Sequence, residues 1–250
     1  MIKYKIDYPM DSPERTMHHR TIIKRKYFLR KLYEQWYRTI LEAQKATEND
    51  VVVELGSGGG FIKDMYPFVI CSDVIDLPCN DMTFSALEMP FKDNTVDSLI
   101  MIDTMHHIPD AELFLKEAER ILKNNGKIIM LEPANTLWGR FLFKNFHHEA
   151  FDTKANWKVQ STGPLSGANQ ALPWIVFFRD REIFMEKFPA LKIKKITFLN
   201  PLTYILSGGL SYRQLLPNFS YPVIKCIDKI LPKISKQISM FMLVEIQSSK

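Results

Sequence analysis

The stretch Val51-Val52-Val53-Glu54-Leu55-Gly56-Ser57-Gly58-Gly59-Gly60-Phe61 decides how the rest of the chain is read. A short β-branched run of this kind forms a strand buried on both faces. It ends in an acidic residue and passes directly into glycines at 56, 58, 59 and 60. Glycine tolerates the left-handed backbone of a sharp turn and lets a ligand approach the main chain closely. The turn is expected to open a helix. Its spacing is GxGxG, with Phe61 where a dinucleotide fold carries a third glycine. A carboxylate two residues before the first glycine would repel a pyrophosphate and attract an amino group.

Strand and helix signals alternate outward from this turn. Phe68–Ser72, Val96–Ile102, Lys127–Glu132, Leu191–Leu199 and Met240–Gln247 read as further strands. Ala111–Lys123 reads as a helix closed by Asn124-Asn125-Gly126 as a C-cap. Residues 14–47 carry apolar positions at helical spacing, including Leu29, Leu32, Trp36 and Ile40, with Ser12 before Pro13 as the start signal. The pattern predicts an α/β fold. It is Rossmann-like and doubly wound, with a mostly parallel seven-stranded sheet, an N-terminal helical segment and cap insertions. The expected organisation is one domain over 1–250. Residues 1–48 form an N-terminal helical cap, 49–134 the ligand-binding core and 135–190 a cap insertion. Residues 191–250 hold the late strands, with an apolar insertion at 200–237.

Several pieces resemble, in order, the class I S-adenosylmethionine-dependent methyltransferases of the type 11 group. The glycine turn comes first, then Ile70-Cys71-Ser72-Asp73 as a second strand with a terminal acid. Glu88-Met89-Pro90-Phe91 leads into Asp93–Asp97, Met101–Ile108 follows the fourth strand, and Leu122–Lys127 precedes the fifth. The resemblance spans roughly 51–132. It implies S-adenosylmethionine as methyl donor. Gly56, Ser57, Gly58 and Gly60 would wrap its methionine portion, with Glu54 near the amino group. Asp73 would accept the ribose hydroxyls, because a strand-end carboxylate offers paired acceptors. Ser85 and Ala86 fall where the family meets the adenine, Ser85 replacing the usual acid. Asp103, at the end of the fourth strand, belongs to the same donor side. The stretch from Asp73 to Phe84 is short, so the helix expected between those strands reduces to a loop.

Transfer from a sulfonium needs an aligned acceptor, and an oxygen acceptor needs a base, for which histidine suits neutral pH. The six histidines form three adjacent pairs. His106 and His107 follow the fourth strand, at the edge where α/β folds place ligands. His147 and His148 lie beside Glu149 in the first insertion. These four are the candidate catalytic residues. No metal site is expected, since neighbouring histidines rarely share one ion.

Hydrophobic residues make up 46% of the 250 and the net charge is +5, a globular composition. Basic residues crowd Arg15–Arg38, which suits an anionic acceptor or a phosphate-bearing membrane surface. No recognition pattern for nucleic acid accompanies them. Three cysteines without a CxxC fit a reducing cytoplasm. No apolar leader is apparent at the N-terminus. No run reaches the ~18 apolar residues of a span. The expected function is O-methylation of a small molecule or a glycan or lipid-linked sugar, in the cytoplasm or peripheral to the inner membrane. The apolar 200–237 stretch also suits a homodimer interface. The alternatives are a nicotinamide-dependent oxidoreductase and a non-catalytic donor-binding module.

Overall fold

The computed structural model describes residues 4, 7–147, 149–160 and 163–250. Its strands are β1 (Val52–Leu55), β2 (Ile70–Asp73), β3 (Met82–Thr83), β4 (Val96–Ile102), β5 (Leu122–Pro133), β6 (Leu191–Leu199) and β7 (Phe241–Ser248). They form one seven-stranded sheet in the order β3-β2-β1-β4-β5-β7-β6. The first five pair in parallel, and β7 runs antiparallel to both β5 and β6. The chain winds outward from β1 and then crosses back to β4. That reversal opens a crevice at the carboxyl ends of these two strands.

The helices are α1 (Pro13–Arg25), α2 (Tyr27–Gln44), α3 (Ala111–Ile121), α4 (Leu137–Phe146), α5 (Leu172–Trp174), α6 (Arg181–Lys187), α7 (Thr203–Ser207) and α8 (Tyr221–Ile234). Because strand side chains alternate, β1 and β4 feed two cores. Val53, Leu99 and Met101 pack with Phe114 of α3 and with Phe184 of α6. Val52, Ile100 and Ile102 pack with Leu29, Trp36 and Ile40 of α2 on the other face.

Departures from the sequence reading have local causes. The glycine turn does not open a full helix but a single tight turn, Phe61–Asp64. Pro67 lies just beyond, and the sheet face is covered instead by α2, whose Tyr37 stacks on Phe61 at 6.2 Å. The predicted helix over 14–47 breaks at Lys26, which is extended at φ −85°, ψ 112°. Its ammonium is thereby buried against the carbonyls of Gly209 and Tyr212. Asn124-Asn125-Gly126 does not cap α3. The helix stops at Ile121, and Leu122 already pairs with Val96. The three residues form a bulge within β5, with Asn125 at φ 64° and a register shift before Ser98 pairs with Lys127. Between β2 and β3 no helix forms, as the short spacing predicts. In 135–190 the later part is core, for Phe177, Phe184 and Phe188 are fully buried between α3 and the sheet.

Candidate active site

The residues of the glycine turn take the left-handed backbone that their sequence foretells. Gly56 is at φ +65° and Gly58 at φ +51°. A Cβ on Gly56 would lie 2.4 Å from Thr104 Cγ2, so two loops meet there with room for hydrogen alone. The turn is tied to the second strand: Ser57 N–H donates to the Ser72 carbonyl at 2.8 Å, and Gly58 N–H to Asp73 Oδ2 at 2.9 Å. Asp73 Oδ1 accepts from Ile75 N–H at 3.0 Å. Burial raises the pKa of Asp73 while these backbone donors oppose the rise.

Glu54 is 2% exposed beneath the turn. Burial pushes its carboxyl up to about 7, against the pull of hydrogen bonds from Ser57 and the Tyr37 hydroxyl. Above it lies a cavity of about 420 Å³. Glu54, Gly56, Ser57, Gly58, Asp73, Ser85, Ala86 and Asp103 all line it. Ser85 Oγ accepts from Leu87 N–H at 3.2 Å, which fixes the loop on the adenine side of the expected arrangement. Gly60 does not line the cavity; it holds the turn against Cys79, whose carbonyl would be 2.9 Å from a Cβ.

Sequence reasoning missed the contribution of the N-terminal helices. Thr16, His19 and Arg20 of α1 and Tyr33 and Tyr37 of α2 also line the cavity. The two tyrosines four residues apart were the available signal, but their spacing reads equally as core. Arg20 clasps the Gly59 carbonyl and pairs with Asp64 at 3.3 Å. Asp11 accepts from the backbone of Leu165 at 2.7 Å and of Ser166 at 2.9 Å, clipping the 163–167 loop over the cavity mouth.

A second cavity of about 220 Å³ adjoins the first. Tyr33, Asp103, His107 and Leu165 line both, so the two spaces share a wall. Its far side is apolar, with Leu142, Phe143, Phe146, Ile205 and Met240, and Arg15 and His19 also reach it.

The histidines fall into distinct places. His106 is 1% exposed and lines neither cavity. Its Nδ1 lies 2.8 Å from Glu132 Oε2 and its Nε2 3.3 Å from Glu149 Oε2. Burial acts against its charge, but the two carboxylates outweigh it and hold its pKa well above the usual value. Glu132 is anchored in turn by the N–H groups of Thr104 and Met105, at 2.9 and 2.7 Å. His107 stands in the shared wall. Its Nδ1–H donates to the Gly167 carbonyl at 3.1 Å, and burial with the neighbouring His106 charge lowers its pKa to about 4. Asp103 beside it is raised to about 7 by burial, and its Oδ1 has no hydrogen-bond partner among the described residues. His147 faces the second cavity, and its Nδ1 accepts from Gln170 Nε2 at 2.8 Å. Gln170 also donates to Glu149 at 2.9 Å, which ties His147 and Glu149 together in the wall of the second cavity. His148 lies outside the described residues.

A glycine-turned crevice at the switch point of this sheet, tied to a strand-end carboxylate, defines the class I methyltransferase core. A family model described as a methyltransferase domain matches residues 53–130. Over 50 residues the chain is 42% identical to demethylmenaquinone methyltransferase of Bacillus cereus strain B4264, covering 20% of this chain and 21% of that one. The chain thus aligns with about a fifth of the length of the curated relatives it matches. Among solved structures, geranyl diphosphate C-methyltransferase of Streptomyces coelicolor A3(2), with Mg2+, geranyl-S-thiolodiphosphate and S-adenosyl-L-homocysteine, is similar at TM-score 0.51 and 13% identity. That match covers 98% of this chain and 83% of the other. A geranyl diphosphate methyltransferase in complex with SAM gives TM-score 0.53 at 12% identity, over 93% and 90% of the two chains. At these identities the likeness is one of fold.

Proposed function

We propose that the protein is an S-adenosylmethionine-dependent methyltransferase that transfers the methyl group to an oxygen of an acceptor held in the second cavity. The observation that carries this reading is the shared wall. A cavity built on Gly56–Gly58 and Asp73 meets a second cavity, lined by both apolar and charged side chains, at Asp103 and His107. The first cavity lies within the ~300–1,000 Å³ typical of small-ligand sites. Its residues fit the donor. Gly56 and Gly58 would face the methionine portion, Asp73 the ribose diol, and Ser85 with Ala86 the adenine. The donor, when bound, supplies a methyl group on a sulfonium, whose carbon–sulfur bond breaks with its electron pair staying on sulfur as the acceptor oxygen's bond forms. The protein's share is to align the acceptor and exclude water. Tyr33 and Leu165 close the sides of the junction, and Asp103, whose carboxyl burial raises to about 7, takes up the acceptor's proton beside His107. His147 lines the acceptor side of the second cavity.

Phe143, Phe146, Ile205 and Met240 suit an apolar or lipid-linked acceptor, and Arg15 with His19 suits an anionic group on it. Exposed apolar side chains support work at a membrane surface on the cytoplasmic side. Leu137 and Phe141 project from α4, and Val223, Ile230 and Ile234 from α8. Both helices pack on the turn at Lys236–Ile238, where Lys229, Lys233 and Lys236 are exposed. No described helix is long and apolar enough to cross a membrane. A nicotinamide oxidoreductase is not favoured, because the turn lacks the third glycine and the family match points elsewhere.

Calorimetry with S-adenosylhomocysteine and with NAD tests the donor assignment; binding of NAD alone would overturn it. Turnover against a panel of hydroxylated isoprenoids, quinols and sugars tests the acceptor class. His107→Ala is expected to lower turnover by ~10²-fold or more, with donor affinity changed only a few-fold. Equal losses in both would place His107 in donor binding instead.

A further inference from the structure

Glu149 comes from the first insertion, yet its carboxylate is the point on which two histidines from the end of β4 converge. His106 Nε2 lies 3.3 Å from Glu149 Oε2, and His107 Nε2 lies 3.6 Å from Glu149 Oε1. Each ring is held from behind through Nδ1: His106 by Glu132 at 2.8 Å, His107 by the Gly167 carbonyl at 3.1 Å. A carboxylate or carbonyl taking the far N–H is how proteins orient histidines whose other nitrogen binds a metal. The Gly167 carbonyl only accepts, so the neutral His107 ring keeps its proton on Nδ1 and turns a lone pair on Nε2 toward Glu149. Two acceptors thus face one another across 3.6 Å in a wall where Glu149 and His107 side chains are only 10% and 15% exposed. A cation between them resolves that opposition.

We propose that His106 Nε2, His107 Nε2 and the Glu149 carboxylate bind a divalent first-row transition ion, which displaces to solvent the proton on His106 Nε2. The three ligand atoms lie within 4.8 Å of one another. Ligands at ~2.1 Å from one ion sit roughly 3.0–3.4 Å apart at tetrahedral or octahedral angles, and the 3.3 and 3.6 Å separations need little adjustment. Neighbouring histidines rarely share an ion, but the tight turn Met105–His107 brings these rings to 4.3 Å between centroids with planes tilted by 39°. Two imidazoles and a carboxylate favour Zn2+, Fe2+, Co2+ or Mn2+ over Ca2+ and Mg2+, which prefer all-oxygen sets. Three protein ligands leave a position open, and His107 and Glu149 both line the second cavity. Resting on the proposed acceptor cavity, an ion there would favour the deprotonated form of an acceptor hydroxyl.

The test is titration of the full-length, chelator-treated protein with Co2+, read by visible ligand-field absorption and by bound metal per chain after gel filtration. One Co2+ per chain with Zn2+ displacing it, weakened at least tenfold in His107→Ala and unchanged in His18→Ala, is the expected result. Absence of stoichiometric binding to the unaltered protein overturns the proposal whatever the variants do. So does binding that His107→Ala leaves intact. Circular dichroism of His107→Ala confirms that the variant is folded. Calorimetry with S-adenosylhomocysteine on the same chelated sample separates the two readings: donor binding without Co2+ binding removes the ion and keeps the methyltransferase.

Discussion

Gly56 and Glu54 show how single residues shape the first cavity. At Gly56 the positive φ and the contact with Thr104 act together, so even a methyl group must displace the loop after β4. Gly56→Ala is expected to weaken S-adenosylhomocysteine binding by at least about tenfold, equivalent to ~1.4 kcal/mol, as measured by calorimetry. Unchanged affinity would detach the turn from the donor. Glu54 makes a prediction about pH. Its carboxyl is raised to about 7 in the fold from a usual value near 4.5. The native state therefore holds the proton more tightly than the unfolded chain, and its favourable contribution is complete below pH 4.5. It is lost as pH rises through 7. Glu54→Gln keeps the shape without the charge. Its melting temperature relative to the unaltered protein should rise between pH 5 and pH 8; a difference independent of pH would mean that the carboxyl is not raised.

Lys26 acts at the scale of the element. One buried ammonium divides what its sequence periodicity presents as a continuous helix. The break turns α1 toward the first cavity, which Thr16, His19 and Arg20 line, while α2 stays against the sheet. Lys26 is 6% exposed, and burial lowers its pKa to about 8. Lys26→Met removes the donor to Gly209 and Tyr212 and strands their carbonyls. The expected cost is about 1–3 kcal/mol in denaturant unfolding. A variant as stable as the parent would show that those carbonyls find other partners. The insertion after β5 is likewise divided by packing. Glu149 enters the histidine wall, while Phe177, Phe184 and Phe188 behave as any crossover segment in an α/β core.

On the scale of the whole molecule, the two insertions and the N-terminal helices gather around the second cavity. They leave the apolar side chains of α4 and α8 outward beside lysines. Such a face is expected to bind vesicles containing anionic lipid and to release them at high salt. Co-sedimentation checks this: Ile230→Glu with Ile234→Glu should lower the bound fraction several-fold. Equal binding by neutral vesicles, or none by anionic ones, removes the membrane from the account.

The sequence by itself determined the fold and the glycine turn with Asp73 at the first cavity. Both are written locally: a buried strand must be apolar, a tight turn must be glycine, and Asp73 must stand where its strand ends. Val96–Ile102 and Leu191–Leu199 agree with the structure at both ends for the same reason. Legibility stopped where partners are distant in the chain. Nothing near Lys26 announces the carbonyls of Gly209 and Tyr212, and nothing near His106 announces Glu132 or Glu149. Tertiary structure alone decided that His106 is sealed between carboxylates, that His107 stands in the shared wall, and that His147 lines the second cavity. A histidine's role depends on which group faces each ring nitrogen, and those groups come from strands and insertions that only folding brings together.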